Sequence, residues 1–121
     1  MAIPIRDEQI QNNATVTASG NSATFGNDGG RTAWVLLVRI ANAPTGTTPT
    51  ITYSVNISVD GVNFVQVGAA LTALNAASSQ RTVYAINSTQ GPIAEQLIRV
   101  SWVVTGTTPS FTGVFTDLIG M

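Results

Sequence analysis

The chain of 121 residues has no cysteine, no histidine and no lysine, and all five of its basic residues are arginines. Without cysteine it has no disulfides, thiolate nucleophiles or thiolate ligands. Without histidine it cannot form a Ser-His-Asp triad, and zinc lacks both of its usual ligand types. Schiff-base and P-loop lysine chemistry is also excluded. The composition therefore predicts a protein that is not an enzyme and binds no metal or cofactor.

Charge is also scarce, since only 9% of the residues are charged and the net charge is -1. An average soluble chain carries about 25% charged residues. Five arginines spread among six acids do not form the basic patch of a nucleic-acid-binding protein. Neutral polar residues replace the charges, which suits either a surface that meets other protein or the ordinary surface of a secreted or virion-type β protein.

No apolar run approaches the roughly 18 residues of a membrane span. The longest, Ala33 to Val38, ends at Arg39. The N-terminal residues lack the apolar segment of a signal peptide, so synthesis in a cytoplasm is expected.

The hydrophobic pattern is β-like from Ala14 onward, and the length suits one domain. Period two and Gly, Pro and Asn punctuation predict a single all-β domain over 14–121, an antiparallel β-sandwich with jelly-roll-like or immunoglobulin-like connections. Residues 1–13 show no clear period and are predicted to form an extended N-terminal arm. The predicted strands are 14–18, 22–25, 32–41, 50–59, 64–67, 82–86, 97–104 and 110–117.

The hydrophobic patterns of two of these strands predict which faces of the sheets are buried. Residues 32–41 are apolar on both faces, which is typical of a central strand covered on both sides. Residues 50–59 alternate between an apolar set, Ile51 to Val59, and a hydroxyl or amide set, which indicates a half-buried strand. In the last strand, Phe111 and Phe115 are expected on one face, with Gly113 between them.

One sequence motif occurs twice. Residues 45–52 read TGTTPTIT, and residues 105–112 read TGTTPSFT. Each copy follows a hydrophobic strand and leads into another, so both are predicted to be hairpin connections of the same shape.

These strings carry a resemblance to a known family. Residues 45–51, an alternating strand and then SVDGVNF at 58–64 resemble small β-sandwich structural proteins of tailed bacteriophages. The later RVSWVVTGTTPSF at 99–111 matches the same pattern. The resemblance spans roughly residues 14 to 117 and leaves the first 13 residues unmatched.

The resemblance implies a head decoration, or cement, protein that binds the major capsid protein and sister copies, as a homotrimer on the head surface of the virion. It implies no chemistry. The alternative is a minor tail, fibre or baseplate module that binds host glycans.

The residues proposed for protein contacts fall in three places. The arm contributes Ile3, Ile5 and Arg6, the strands contribute Arg39 and Arg99, and the apolar tail contributes Leu118 and Ile119. The two strand arginines fit an interface or an outward-facing position equally well.

Other candidate sites have simpler structural explanations. Asp60-Gly61 could supply a calcium oxygen, but a hairpin turn is the stronger expectation. Asn27 to Gly30 could form a binding loop, although a chain reversal fits its glycines better. The four Trp and Tyr side chains, Trp34, Tyr53, Tyr84 and Trp102, are predicted to pack in the core rather than form a sugar platform.

Overall fold

The computed structural model describes residues 6–27, 30–88 and 91–120. Within these ranges it is an antiparallel β-sandwich that contains the short 3₁₀ turn Ile93–Glu95 and no α-helix, which confirms the predicted fold class. The strands are β1 (Arg6–Val16), β2 (Gly20–Asn21), β3 (Phe25–Gly26), β4 (Ala33–Ile40), β5 (Thr45–Ser58), β6 (Val65–Val67), β7 (Ser78–Ala85) and β8 (Leu97–Gly120).

The long strand β8 takes part in both sheets. Its second half lies between β1 and β4, and β7 pairs with the other edge of β4. We call this the first sheet, in the order β1, β8, β4, β7. The first half of β8 lies between β5 and the short strands β2 and β3, and β6 follows β5. This second sheet therefore has the order β2/β3, β8, β5, β6.

The connections distinguish the two predicted topologies. If the two halves of β8 are counted as separate strands, and β2 and β3 as a single strand, each sheet has four strands and the described chain has eight. Most successive strands lie in opposite sheets, and only the β5–β6 hairpin joins neighbours within one. An immunoglobulin fold instead places A, B, E and D in one sheet and C, F and G in the other. The arrangement is that of a jelly roll.

The core lies between the two sheets. Its largest fully buried apolar side chains come from β4, β5 and β8, and they include Trp34, Tyr53, Phe111, Ile98 and Leu118. The alternation predicted for residues 50–59 is confirmed for Ile51, Tyr53, Val55 and Ile57, which are all buried. Val59 is an exception because β5 ends at Ser58, and its side chain is 52% exposed.

A polar group is buried inside this core. The Tyr53 hydroxyl donates to Oε1 of Gln11 at 2.7 Å, and the Thr116 hydroxyl donates to the same oxygen at 2.9 Å. Burial raises the pKa of Tyr53 to about 12, against smaller opposing effects of its hydrogen bonds to Thr116 and Gln11. The network joins β1, β5 and β8, so it links both sheets.

The two TGTTP copies are not hairpin connections, and that prediction is wrong. They lie inside β5 and β8 and face each other, with Thr47 opposite Thr107 and a register shift on each side of that pair. The two strands make the same irregularity, since Gly46 and Gly106 have φ of 106° and 112°. Beyond this paired bulge β8 passes from the second sheet into the first.

The prediction that β4 is covered on both sides is not met by the described residues. Trp34, Leu36 and Val38 point into the core and are buried. On the opposite face Val35 is buried, but Leu37 is only half-buried and Arg39 is exposed. Because the outer face of a four-strand sheet in one sandwich has no second sheet against it, the apolar residues there lack a covering layer.

The expected common face for Phe111 and Phe115 is also wrong. Phe111 is in the core, whereas Phe115 lies on the outer face beside Arg39. Between them Gly113 has φ of 65°, and the pairing with β1 shifts register there. This bulge inserts a residue and reverses which face the later side chains occupy.

Other boundaries also differ from the pattern. The predicted strands at 97–104 and 110–117 form one strand, β8, and the segment at 82–86 begins earlier, at Ser78. The described part of the predicted arm, residues 6–13, is extended, but it lies within β1 and pairs with β8.

Candidate interaction surface

The outer face of the first sheet carries a group of apolar residues that point away from the core. Because directly opposed residues of antiparallel strands share a face, the register arranges these side chains in rows across β8, β4 and β7. The three rows are Ile119, Val35 and Val83; Asp117, Leu37 and Arg81; and Phe115, Arg39 and Ser79. We call this surface the β4 face.

The first row and the middle of the β4 face are apolar. Val83 is 60% exposed, while Leu37, Phe115 and Ile119 are half-buried by their neighbours. Single exposed apolar residues are common on proteins, but contiguous apolar patches often mark interaction sites. This row arrangement makes the β4 face the best candidate for a protein contact.

The lower two rows line an open groove of about 610 Å³, where Leu37, Phe115 and Asp117 meet the two arginines. The Arg39 guanidinium lies 4.4 Å from the centroid of the Phe115 ring, which is within the range of a cation–π contact. The stacking tilts the Arg39 side chain from β4 towards β8. The groove therefore combines apolar walls with charges at its sides.

The acid of the groove lies in an unfavourable environment. Partial burial raises the pKa of Asp117, and the nearby carboxylate of Asp7 raises that pKa further. The register places Asp7 opposite Ile119 on β1, diagonal to Asp117. Among the described residues the one ion pair within 4 Å joins Arg6 to Glu8, so neither Asp117 nor Arg81 has an ionic partner there.

The outer face of the second sheet has a different chemistry. On β5 it presents Thr52, Ser54 and Asn56, and the Asn56 amide donates to the Ser101 hydroxyl at 2.8 Å. Ser101 in turn donates to Asn21 at 2.6 Å. These polar side chains bond to one another or face water, so this surface has no need of a protein cover. Val103, at 56% exposure, is the large apolar exception.

The turn after β5 is closed by Asp60, as the DG signal predicts. Its carboxylate accepts hydrogen bonds from the backbone N–H groups of Val62 and Asn63, both at 2.8 Å. These bonds hold the pKa of Asp60 well below its usual range. The turn leaves Val62 79% exposed. Among the described residues, no group of three acids gathers in a way that could hold a metal ion.

The predicted contact residues are distributed over several surfaces. Arg39 and Ile119 lie on the β4 face. Arg99 lies on the outer face of the second sheet, 3.8 Å above the Phe64 ring. Arg6 bonds to Glu8 and to the Gly26 carbonyl.

Leu118 is fully buried in the core, so its side chain has no free surface to offer a partner. Ile3 and Ile5 lie outside the described residues.

The aromatic side chains considered as a sugar platform lie in or against the core. Trp34, Tyr53 and Tyr84 are buried. Trp102 is partly buried against Tyr53 and donates from its indole nitrogen to the Ala18 carbonyl at 3.1 Å. The four therefore do not form an exposed row.

Of the nine members of the β4 face, the sequence singled out only Arg39 and Ile119 as contact residues, and the missed members include Arg81, Phe115 and Asp117. Arg81 directly precedes the predicted strand at 82–86 and gave no further signal. Phe115 was assigned to the core face because the Gly113 bulge was not anticipated, and Asp117 was taken only as the end of the predicted strand at 110–117. The available signal was the glycine itself, which often marks a bulge inside a strand pattern.

Comparison with known proteins identifies the fold. No protein-family model matches the chain, and no curated protein matches its sequence. The chain is similar to the SPBc2 prophage-derived protein YomS at 12% identity and a TM-score of 0.51, over 99% of this chain and 96% of that one.

It is also similar to chains of infectious bursal disease virus structures. The T13 particle gives 13% identity and a TM-score of 0.55, and the Gt strain gives 10% and 0.58. Each match covers 96% of this chain but 30% or 31% of the viral chain. The domain thus has a fold also found in a prophage protein and in viral particle proteins.

No helix among the described residues has the length and apolar character needed to cross a membrane.

Proposed function

We propose that this chain is a non-enzymatic structural protein of a tailed-phage particle, and that it decorates the head by binding the assembled shell of major capsid protein. The observation that carries the proposal is the uncovered β4 face. A chain with 9% charged residues leaves Leu37, Val83, Phe115 and Ile119 without a second layer, as expected for a protein that the shell or a sister copy covers on the particle.

Two further findings support this function. The motifs at 45–51, 58–64 and 99–111 resemble those of phage structural proteins. The fold recurs in a prophage-derived protein and in viral particle chains. The protein would be made in the host cytoplasm and would act on the head surface of the virion.

Its action would be thermodynamic. A protein that binds the assembled shell, and not its free subunits, stabilises the shell by mass action. With so few charges, most of the contact would be apolar and hydrogen-bonded, so binding should depend weakly on salt. A homotrimer, which the resemblance implies, remains a prediction for the bound state.

The test is a binding experiment with purified undecorated heads. The protein is mixed with heads, the heads are pelleted, and bound copies are counted per major capsid subunit at low and high salt. Saturation at a simple fraction of the lattice, with little loss at high salt, is expected. Failure to pellet, with the protein found in purified tails, would replace this proposal by the tail, fibre or baseplate module and direct attention to host glycans.

A further inference from the structure

On the β4 face, the first row is apolar on both sides of β4, and the second row carries opposite charges on its two sides. In the first row both neighbours of Val35 are apolar, Ile119 on β8 and Val83 on β7. In the second row Leu37 has an acid on the β8 side, Asp117, and a base on the β7 side, Arg81. A two-fold rotation about β4 exchanges the β8 and β7 sides, so it brings each charge onto the opposite one.

We propose that the β4 face binds the β4 face of a second copy of this chain, about a two-fold axis that runs along β4 above Leu37. In this pairing Leu37 meets its own symmetry mate, Ile119 packs on Val83 of the second copy, and Asp117 faces Arg81 of the second copy in two equivalent ion pairs. Sheets that pack face to face keep their strands within about 30° of each other, which an axis along β4 allows.

The electrostatic environment of Asp117 supports this occupant. Asp117 is partly buried beside another acid, Asp7, and no described cation of its own chain lies within 4 Å. In the proposed pair, β7 of the second copy lies above β8, so its Arg81 arrives beside both carboxylates. The exposed Arg81 then gains anionic partners that no described residue of its own chain supplies.

Arg39 is the one charge that a two-fold axis along β4 brings close to itself. Its guanidinium is drawn off the axis towards β8, because it stacks on Phe115 at 4.4 Å. The second copy's Arg39 leans the opposite way, so the two groups move apart. Each then lies near the Ser79 side of the other copy, where a hydroxyl accepts a hydrogen bond.

The size of the face indicates a weak contact. The three strands β8, β4 and β7 lie about 4.8 Å apart and overlap over about eight residues at about 3.4 Å each, which gives a face of about 400 Å². Two such faces bury about 800 Å², in the range of weak, transient interfaces. A dissociation constant of tens to hundreds of micromolar is therefore expected in free solution, with more complete pairing where many copies are held together on a particle.

Sedimentation equilibrium of the full chain, without heads, tests the pairing from micromolar to millimolar protein. The wild type should fit a monomer–dimer equilibrium. Arg81→Asp and Asp117→Arg should each weaken dimerisation by about tenfold or more, because each places like charges opposite one another twice. The double variant that swaps the two charges should return to within about threefold of wild type, because the ion pairs are restored with reversed sign.

A matched pair of variants locates the contact. Val83→Asp on the β4 face should weaken dimerisation by about tenfold or more, and Val103→Asp, of similar exposure on the other sheet, should leave it unchanged. Arg81 and Val83 are exposed, so these variants should fold even if Asp117→Arg does not. A monomer at all concentrations, a trimer, or a dimer unaffected by Val83→Asp and Arg81→Asp would overturn the proposal.

Chemical crosslinking adds an independent measurement, since the chain has no cysteine of its own. Leu37→Cys should crosslink with a short bis-maleimide, and Thr52→Cys on the other outer face should not. Equal crosslinking of both would contradict the two-fold arrangement. These experiments omit heads, so a dimer that fails to bind heads would refute the decoration function alone, and a monomer that binds heads would refute the pairing alone.

Discussion

The paired TGTTP bulge gives the sharpest stability prediction, because two glycines approach the opposite strand too closely for any side chain. A Cβ on Gly46 would lie 2.5 Å from the Thr108 carbonyl oxygen and 2.8 Å from that of Thr107. A Cβ on Gly106 would lie 2.8 Å from the carbonyl oxygens of both Thr47 and Thr48. These contacts are with backbone, so they are relieved only if β5 and β8 separate.

The cost of Gly46→Ala has two parts. The φ of 106° is sparsely populated for an L-residue and costs about 1 to 3 kcal/mol. Displacing packed backbone adds about 1 to 3 kcal/mol, as overpacking does in cores. The sum, about 2 to 6 kcal/mol, is a large part of the 5 to 15 kcal/mol or so that holds a typical domain folded. Gly106→Ala should lose a similar amount, because its surroundings mirror those of Gly46.

Urea unfolding followed by tryptophan fluorescence measures this loss, since Trp34 is buried in the core. With a slope of about 2 kcal/mol/M, a loss of about 3 kcal/mol lowers the midpoint by about 1.5 M. Gly68→Ala is the control. Gly68 also has positive φ, 62°, but its added Cβ would meet only the Tyr84 ring at 3.4 Å. Equal losses for Gly46→Ala and Gly68→Ala would refute the close-approach argument.

Three other predictions follow from the core and the β5 turn. The pKa of Tyr53 is near 10.0 in the unfolded chain and about 12 in the folded protein, because burial disfavours the phenolate. The neutral hydroxyl therefore contributes fully to the free energy of unfolding below pH 10, and this contribution is lost as the pH rises towards 12. The full loss in the free energy of unfolding is about 2 to 3 kcal/mol. When that free energy is measured by denaturant titration at pH 9 and at pH 11, the difference between the two pH values should be smaller for Tyr53→Phe than for wild type or Tyr84→Phe. Gln11→Leu leaves two buried hydroxyls without their acceptor and should cost about 2 to 5 kcal/mol by urea unfolding, whereas Thr116→Val removes one donor and should cost less; equal losses would contradict the shared-acceptor geometry. Asp60→Ala removes four hydrogen bonds of the turn after β5 and should raise amide exchange at residues 61–63, while exchange in β4 stays unchanged as the internal control.

Local periodicity was sufficient to predict the fold class and most of the core. The alternation from Ile51 to Ile57 needs only the two-residue repeat of a strand and one covered face, and the buried side chains follow it. The DG signal at 60–61 is also local, because Asp60 bonds to backbone within three residues.

Long-range pairing was not predictable from local patterns. The two TGTTP copies read as turns because glycine and proline usually punctuate strands. In the structure the two copies pair with each other across roughly sixty residues of sequence, and each bulge fits only because the matching bulge lies opposite. The repeat was visible in the sequence, but nothing local indicated that its copies pair.

The single residue Gly113 explains why the candidate surface escaped sequence analysis. Without a bulge, Phe111 and Phe115 would share the core face, and Asp117 and Ile119 would point inward with them. The bulge at Gly113, where φ is positive, shifts the alternation of buried and outward-facing side chains by one residue. Val114, Thr116 and Leu118 are therefore buried, and Phe115, Asp117 and Ile119 point outward. Asp117 therefore reaches the row of Leu37 and Arg81 only because of this bulge. The strand β4, which is apolar on both faces, therefore lies in an outer surface that is both charged and apolar and that one sandwich cannot cover. In the proposed pairing, the same surface of a second copy supplies the covering layer that the sequence of β4 predicts.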